Sequence, residues 1–375
     1  MGVQILWLMP VHPIGIPHRK GTLGSYYSIS DHKGINPEFG TMADFEELVS
    51  EIHNLGMKVI LDWVANHAAW DHVWTIQNPK FFVQDEFGFK SPFDWTDVIQ
   101  IDHQNPEQQE AMIDAMHFWV EEKNVDGFRA DLAHLTPLAF WQKARLAIDA
   151  IRPGIIWLAE TEDVEYVKAF DITFTWRWMH ISQQALKEKG GISPLTEFLG
   201  SDDFPGLRLY FTTNHDENSW NGTEYEKYGV YAQALAVFSC LYLNSVPLIY
   251  SGQEAANKRR LAFFEKDAIN WGEFELKQFY SGLLNIRMKP GISFEREGFK
   301  IYNHPEVLII SHTGEAGTIW VFLHFGTRET LIQPFELAGV EGIELFSGET
   351  YNASAPAISM KPGDHLVYES FRREG

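Results

Sequence analysis

The chain has 375 residues, enough for a large domain plus a smaller one, and its 45% apolar content marks a folded protein rather than a disordered one. Lys and Arg number 30 against 51 Asp and Glu, a formal charge of -21, and a surface that acidic repels phosphate backbones and anionic lipid. Nucleic acid is thereby excluded as a partner, and the single cysteine, Cys240, excludes an intrachain disulfide.

No run of about 18 apolar residues occurs, so no membrane span is expected. The opening "MGVQILWLMPVHP" has no basic n-region and no small-residue cleavage site, and reads as a buried strand rather than a signal peptide. As given, the chain reads as cytoplasmic; a secreted or periplasmic parent is not excluded, so the compartment is unknown. In "GTMADFEELVSEIHNLGMKVILDWVANH", Thr41 caps a helix and Asp44 lies in its first turn. Phe45, Leu48, Val49, Ile52 and Leu55 recur at helical spacing, and Gly56 is the stop. "MKVILDW" is a continuous apolar run, as expected for a parallel strand buried on both faces. After His67 comes an insertion over residues 68–105, roughly forty residues where two to six are usual, which marks a functional loop or small domain. Asn105 then caps a helix with Pro106 at its first position, and a short strand leads to Arg129. Another helix and strand end at Glu160, a weaker strand lies near 170–174, and "GLRLYFTTNHD" ends near Asp216. An apolar helix holding Cys240, read as core, precedes "VPLIY".

This alternation predicts a parallel α/β barrel of the (β/α)8 TIM type over residues 1–290. A doubly wound open sheet is the other arrangement, and the lack of a Gly-rich phosphate loop after the first strand weighs against it. From 291 to 375 the runs are short and separated by Gly, Pro and Asn, which predicts a separate antiparallel β-sandwich. Its aromatics Trp320, Phe322 and Phe325 alternate as core residues do.

Polar residues gather at the C-terminal ends of the predicted strands: Asp62, Asn66 and His67 in "DWVANH", Arg129 and Asp131 in "GFRAD", Glu160 in "WLAE", His215 and Asp216 in "TTNHD". In a barrel these ends converge on one mouth. Like charges crowded there raise one another's pKa, so one carboxyl tends to stay protonated. Arg129 beside Asp131 is expected to hold Asp131 ionised, which leaves Glu160, at the end of an apolar strand, as the proton carrier. One ionised and one protonated carboxyl are what retaining glycoside hydrolysis requires. A metal hydrolase would want ligand spacing such as His-x-His, whereas His67 and His215 lie on different strands and look like hydroxyl-binding groups.

At these residues the sequence resembles the α-amylase family of glycoside hydrolases over almost the whole chain. "DWVANH", "GFRAD", the Glu of "WLAE" and "TTNHD" look like its four signatures in order. "GSYYSISDHKGINPEFGTMADF" looks like its second-strand loop, and "VPLIYSGQE" like its last strand. The resemblance implies Asp131 as nucleophile, Glu160 as acid/base and Asp216 as the group gripping ring hydroxyls. Arg129 would orient Asp131, His67 and His215 would bind hydroxyls of the same sugar, and Tyr27 would stack on its face. The implied substrate is an α-linked glucan, cleaved by double displacement with no cofactor in the chemistry. Asn66 and Asp97 match positions that in many members help bind calcium, which makes a structural Ca²⁺ possible.

Two departures bear on this. Many amylases carry a Lys-His pair at the third and fourth positions after the nucleophile, where this chain has His134 and Leu135. His134 is expected either to contact the leaving-group sugar or to cap the following turn. Second, "VQILWLMP" looks like the family's second strand, so the count is seven strands rather than eight. A barrel incomplete at the N-terminus has open edges, to be filled by an internal segment or covered by a second copy in a homodimer. Transglycosylation or isomerisation on the same residues is the other enzymatic reading. A catalytically impaired homologue that binds glucan or serves assembly is the non-enzymatic one.

Overall fold

In a computed structural model, residues 1–187, 191–201, 203–333, 341–352 and 354–370 are described. They form an α/β fold with a curled, incomplete parallel barrel sheet and a separate antiparallel sheet. The chain divides into two bodies, one of residues 3–174 with 262–267, the other of residues 1–2, 175–261 and 268–375.

The first body holds five parallel strands, Ile5–Leu8, Lys58–Trp63, Gly127–Ala130, Ile156–Ala159 and Ile172–Phe174, adjacent in that order. Strand residues alternate between two faces. Val59, Leu61, Trp63, Phe128, Ala130, Trp157 and Ala159 join the core shared with the helices. The opposite set, Ile60, Asp62, Arg129, Leu158 and, one step beyond their strands, Asp131 and Glu160, is also buried. The parallel register aligns Asp62 with Arg129 and Arg129 with Leu158. Gly127 sets how closely these strands approach, since a Cβ there would lie 2.2 Å from the Ile156 carbonyl oxygen.

The expected helix is Met42–Asn54, and Thr41 and Asp44 form a reciprocal capping box. Its buried stripe is narrower than the spacing predicts. Phe45, Val49 and Ile52 face the core, but Leu48 is 45% exposed and Leu55, the C-cap residue, 73% exposed, because at helical spacing both lie on the flank of that stripe. Asn105 accepts backbone N–H bonds from Glu107 and Gln108 and opens the helix Pro106–His117, with Pro106 in its first turn. Leu138–Ile151 follows as the next helix. The insertion folds on two short antiparallel pairs, His67–Ala69 with Val98–Gln100 and Gln84–Asp85 with Gly88–Phe89.

In the second body the strands Leu207–Tyr210 and Ser245–Pro247 pair in parallel, followed in the chain by the helix Lys277–Arg287. Beyond it the texture changes as expected, to a six-stranded antiparallel sheet and the pair Thr330–Ile332 with Ile358–Met360; residues 334–340 lie outside the described ones. One face of the large sheet, including Leu308, Ile310, Val321 and Leu323, shares a core with the helix Ala232–Leu241. Val307, Ile309, Trp320 and Phe322 fill the other face. Trp320, Phe322 and Phe325 are all buried, consistent with a structural role. Cys240 is core as read, and burial pushes its thiol up to about 12.

Candidate active site

Three strands of the first body deliver one cation and three carboxylates to the same place. The strand Gly127–Ala130 turns Phe128 and Ala130 to the helices, so Arg129 and Asp131 point the other way together. The Arg129 guanidinium is fully buried. Its Nη1 donates to Asp62 Oδ1 at 2.8 Å and to Asp131 Oδ1 at 2.9 Å. Its Nη2 lies 2.8 Å from Glu160 Oε2, a close charge contact rather than an aligned hydrogen bond. The Leu132 backbone N–H donates to the same Glu160 oxygen at 2.8 Å. To reach it, Leu132 adopts a left-handed φ of 40°, a strained setting for a γ-branched residue.

Aromatics enclose this cluster. The guanidinium carbon lies 5.0 Å from the Trp7 ring centre, 5.5 Å from Phe174 and 6.0 Å from Tyr27. Trp7 Nε1 donates to Asp62 Oδ2 at 3.1 Å, and the Tyr27 hydroxyl donates to the same oxygen at 3.3 Å. Tyr27 also lies parallel to Phe263, their centres 6.4 Å apart. Burial works against charge on Arg129, yet Asp62, Glu160, Tyr27 and Asp131 around it outweigh that cost, and its pKa is raised well above the usual value. The guanidinium is therefore cationic at every working pH. Sequence reading expected Arg129 to serve Asp131; the structure has one cation shared among Asp62, Asp131 and Glu160. Asp62, left without a role, proves to be its fully buried partner, and Trp7 was missed altogether.

His67 follows the second strand, is 4% exposed and is held neutral, burial lowering its pKa to about 4. Its Nδ1 lies 3.3 Å from Asn66 Nδ2, and its ring packs edge-on against Trp95 at 5.4 Å. Asp97 accepts the Lys20 ammonium at 2.7 Å, and the Ser28 hydroxyl donates to the Asp97 backbone carbonyl at 2.9 Å. Among the described residues no group of three or more His, Cys, Asp or Glu side chains is arranged to hold a metal ion. His134 sits exposed on the short turn Ala133–Leu135. His215 and Asp216 belong to the second body, beyond its strand Leu207–Tyr210, with His215 Nε2 3.2 Å from Asp216 Oδ2.

Behind the site runs a chain of buried histidines that sequence reading did not find. The Trp74 N–H donates to His72 Nδ1 at 3.1 Å, so the His72 proton sits on Nε2. That Nε2 faces His32 Nδ1 at 2.9 Å, which puts the His32 proton on Nε2, donating to the Val64 carbonyl at 2.9 Å. His12 lies beside them, its ring 5.9 Å from that of His32. Burial lowers the pKa of His12 to about 3 and of His32 to about 4, and that of His72 well below its usual value. The relay ties the insertion to the end of the strand that carries Asp62. Its sequence signal was the histidines at 12, 32 and 72, far apart in the chain, which no spacing rule joins.

The chain is similar to known proteins in sequence and in fold. A profile of the alpha-amylase catalytic domain matches residues 1–98. The alpha-amylase MalA of Haloarcula japonica is 27% identical over 383 residues, covering 94% of this chain and 54% of its own length. An alpha-1,4-glucan:maltose-1-phosphate maltosyltransferase of Rhodospirillum rubrum is 34% identical over 238 residues, 57% of this chain and 34% of its own. The chain thus spans about half or less of the length of these curated relatives. The crystal structure of an alpha-amylase from Lactobacillus plantarum superposes with a TM-score of 0.86 at 27% identity, over 98% of this chain and 90% of the other. That of the maltogenic alpha-amylase AmyB from Thermotoga neapolitana does so with 0.83 at 28% identity, over 99% and 91%. With its strand-end motifs carried on this curled parallel sheet, the chain is similar in sequence and fold to members of the alpha-amylase family.

Proposed function

We propose that this protein hydrolyses α-1,4-glucosidic bonds of starch-like glucans or maltooligosaccharides with retention, through a covalent glucosyl-enzyme. The observation that carries the reading is Arg129, a buried cation hydrogen-bonded to Asp131 and in charge contact with Glu160. Donation from the guanidinium favours the carboxylate form of Asp131, and its place in the second signature of the resembled family makes it the nucleophile. Glu160 takes the Leu132 N–H and the guanidinium on Oε2, so in this reading Oε1 is the oxygen that carries the transferable proton. In the first step the Asp131 carboxylate bonds to the anomeric carbon, the glycosidic C–O bond breaks, and the Glu160 proton goes to the departing oxygen. In the second, Glu160 takes a proton from water, the water oxygen bonds to the anomeric carbon, and the bond to Asp131 breaks.

Tyr27 and His67 would contact the sugar ring at this site, and His134, exposed beyond Asp131, would meet the leaving group. On its motif, Asp216 is carried into the same reaction as the group that grips ring hydroxyls, with His215 beside it. Asn66 and Asp97 fit a calcium ion poorly, because the Lys20 ammonium already supplies positive charge at Asp97. We read Lys20 as the counter-charge there and route no step through a metal. We propose a homodimer that covers the side of the Ile5–Leu8 strand with which no strand pairs among the described residues; size-exclusion chromatography with light scattering checks it, and an active monomer at micromolar concentration would reject it.

Turnover of a nitrophenyl maltooligosaccharide tests the assignment. Asp131→Asn and Glu160→Gln should each slow it by about 10²–10⁴-fold. Rates equal to wild type in both would leave a glucan-binding homologue without this chemistry. The Rhodospirillum maltosyltransferase similarity favours a second reading, transfer to a sugar acceptor. Products longer than the substrate from maltoheptaose would favour transfer over hydrolysis.

A further inference from the structure

The turn between Ser91 and Thr96 carries a phenylalanine in the least comfortable place for one. Phe93 is 71% exposed and has a left-handed φ of 52°. Water-exposed phenyl gains nothing from burial, and left-handed backbone costs a non-glycine residue about 1–2 kcal/mol. The turn is nevertheless firmly built. The Trp95 N–H donates to the Pro92 carbonyl at 3.1 Å, the Ser91 hydroxyl to Val98 at 2.8 Å, and the Trp70 indole to Thr96 at 3.0 Å. It leads directly into Val98–Gln100, the strand paired with His67–Ala69, so the same ladder positions the turn and His67. Phe93 leans on Trp95 with ring centres 5.0 Å apart, and Trp95 packs on His67 at 5.4 Å.

We propose that Phe93 and Trp95 form an aromatic platform that holds a glucosyl ring of the substrate beyond the one at His67, and so set preference for longer glucan chains. The inference rests on the glucan reading above. The two rings, half-buried and exposed in turn, continue outward from His67 without a break, and the C–H face of a pyranose is the flat, weakly polar surface that such rings accept. Phe93 touches no reacting atom; its part is binding, and the contact is made equally in ground and transition states, so it should enter KM rather than kcat.

The test compares Phe93→Ala, Phe93→Trp and wild type on maltoheptaose and on a nitrophenyl maltoside. Phe93→Ala should raise KM for maltoheptaose about three- to tenfold with kcat unchanged, the worth of one aromatic contact. It should leave KM for the short substrate within about twofold, and Phe93→Trp should restore the long one. An unchanged KM for maltoheptaose, or an equal rise on both substrates, overturns the platform. If wild type turns over neither substrate, the hydrolytic reading has failed by itself. Calorimetric titration of maltoheptaose into wild type and Phe93→Ala then decides the platform separately: weaker binding in the variant supports it, equal or absent binding overturns it.

Discussion

Acid should unfold this protein well before its carboxylates titrate. His12, His32 and His67 are buried and neutral, with pKa values lowered from 6.5 to about 3, 4 and 4. The sign follows from which state binds protons. Well above pH 6.5 neither state protonates these rings, and the folded state carries no penalty. As pH falls toward 4, the unfolded chain takes up a proton at each histidine while the folded one does not, so stability is lost through that window. One proton of difference is worth about 1.4 kcal/mol per pH unit, and between pH 6 and 5 an unfolded histidine is mostly protonated, so each ring loses about 1.2 kcal/mol there. The three together lose about 3.5 kcal/mol over that single unit, a large part of the 5–15 kcal/mol typical of a folded domain. The relay adds a geometric reason: protonating His72 Nδ1 would turn an N–H against the Trp74 N–H that it now accepts. Urea unfolding followed by tryptophan fluorescence at pH 8, 7, 6 and 5 reads the slope. His12→Phe keeps the ring against Trp63 and Trp119 and removes one titrating group, so it should flatten the slope by about a third. A wild-type slope below about 1 kcal/mol per pH unit between pH 6 and 5 would refute the reasoning.

Arg129→Met leaves three carboxylates without their cation and should cost about 3–5 kcal/mol of stability, read as a fall in urea midpoint; a loss within 1 kcal/mol would mean the cluster is solvated. Gly127→Ala drives a methyl into the Ile156 carbonyl and should cost at least about 2 kcal/mol, where Gly56→Ala meets no neighbour and tests only its positive φ; thermal melts of the two variants make the comparison. Lys20→Met should lower the melting temperature by a few degrees, the worth of a half-exposed ion pair of about 1 kcal/mol, whereas chelator or added calcium should leave the wild-type melt unmoved; a wild-type melt that falls with chelator would restore a metal at Asp97.

Much of this molecule can be read in one dimension. Parallel strands buried on both faces, the Thr41–Asp44 and Asn105–Pro106 helix starts, and the late switch to antiparallel β all depend on neighbours a few residues apart. The i, i+2 placement of Arg129 and Asp131 is likewise a property of the strand alone. What the linear order leaves open is which distant groups meet. Asp62 stands beside Arg129 because Ile60 pairs with Gly127, and Gly127 must be bare to let Ile156 approach. Lys20 reaches Asp97, and His32 reaches His72 and Val64, across loops whose paths no periodicity encodes. Sequence thus determined the chemistry available at each strand end, because local propensity and alternation act over short spans. Only the tertiary structure decided that one guanidinium answers three acids and that an ammonium sits at Asp97, because a buried charge takes its partner from whatever the folded chain brings within about 3 Å.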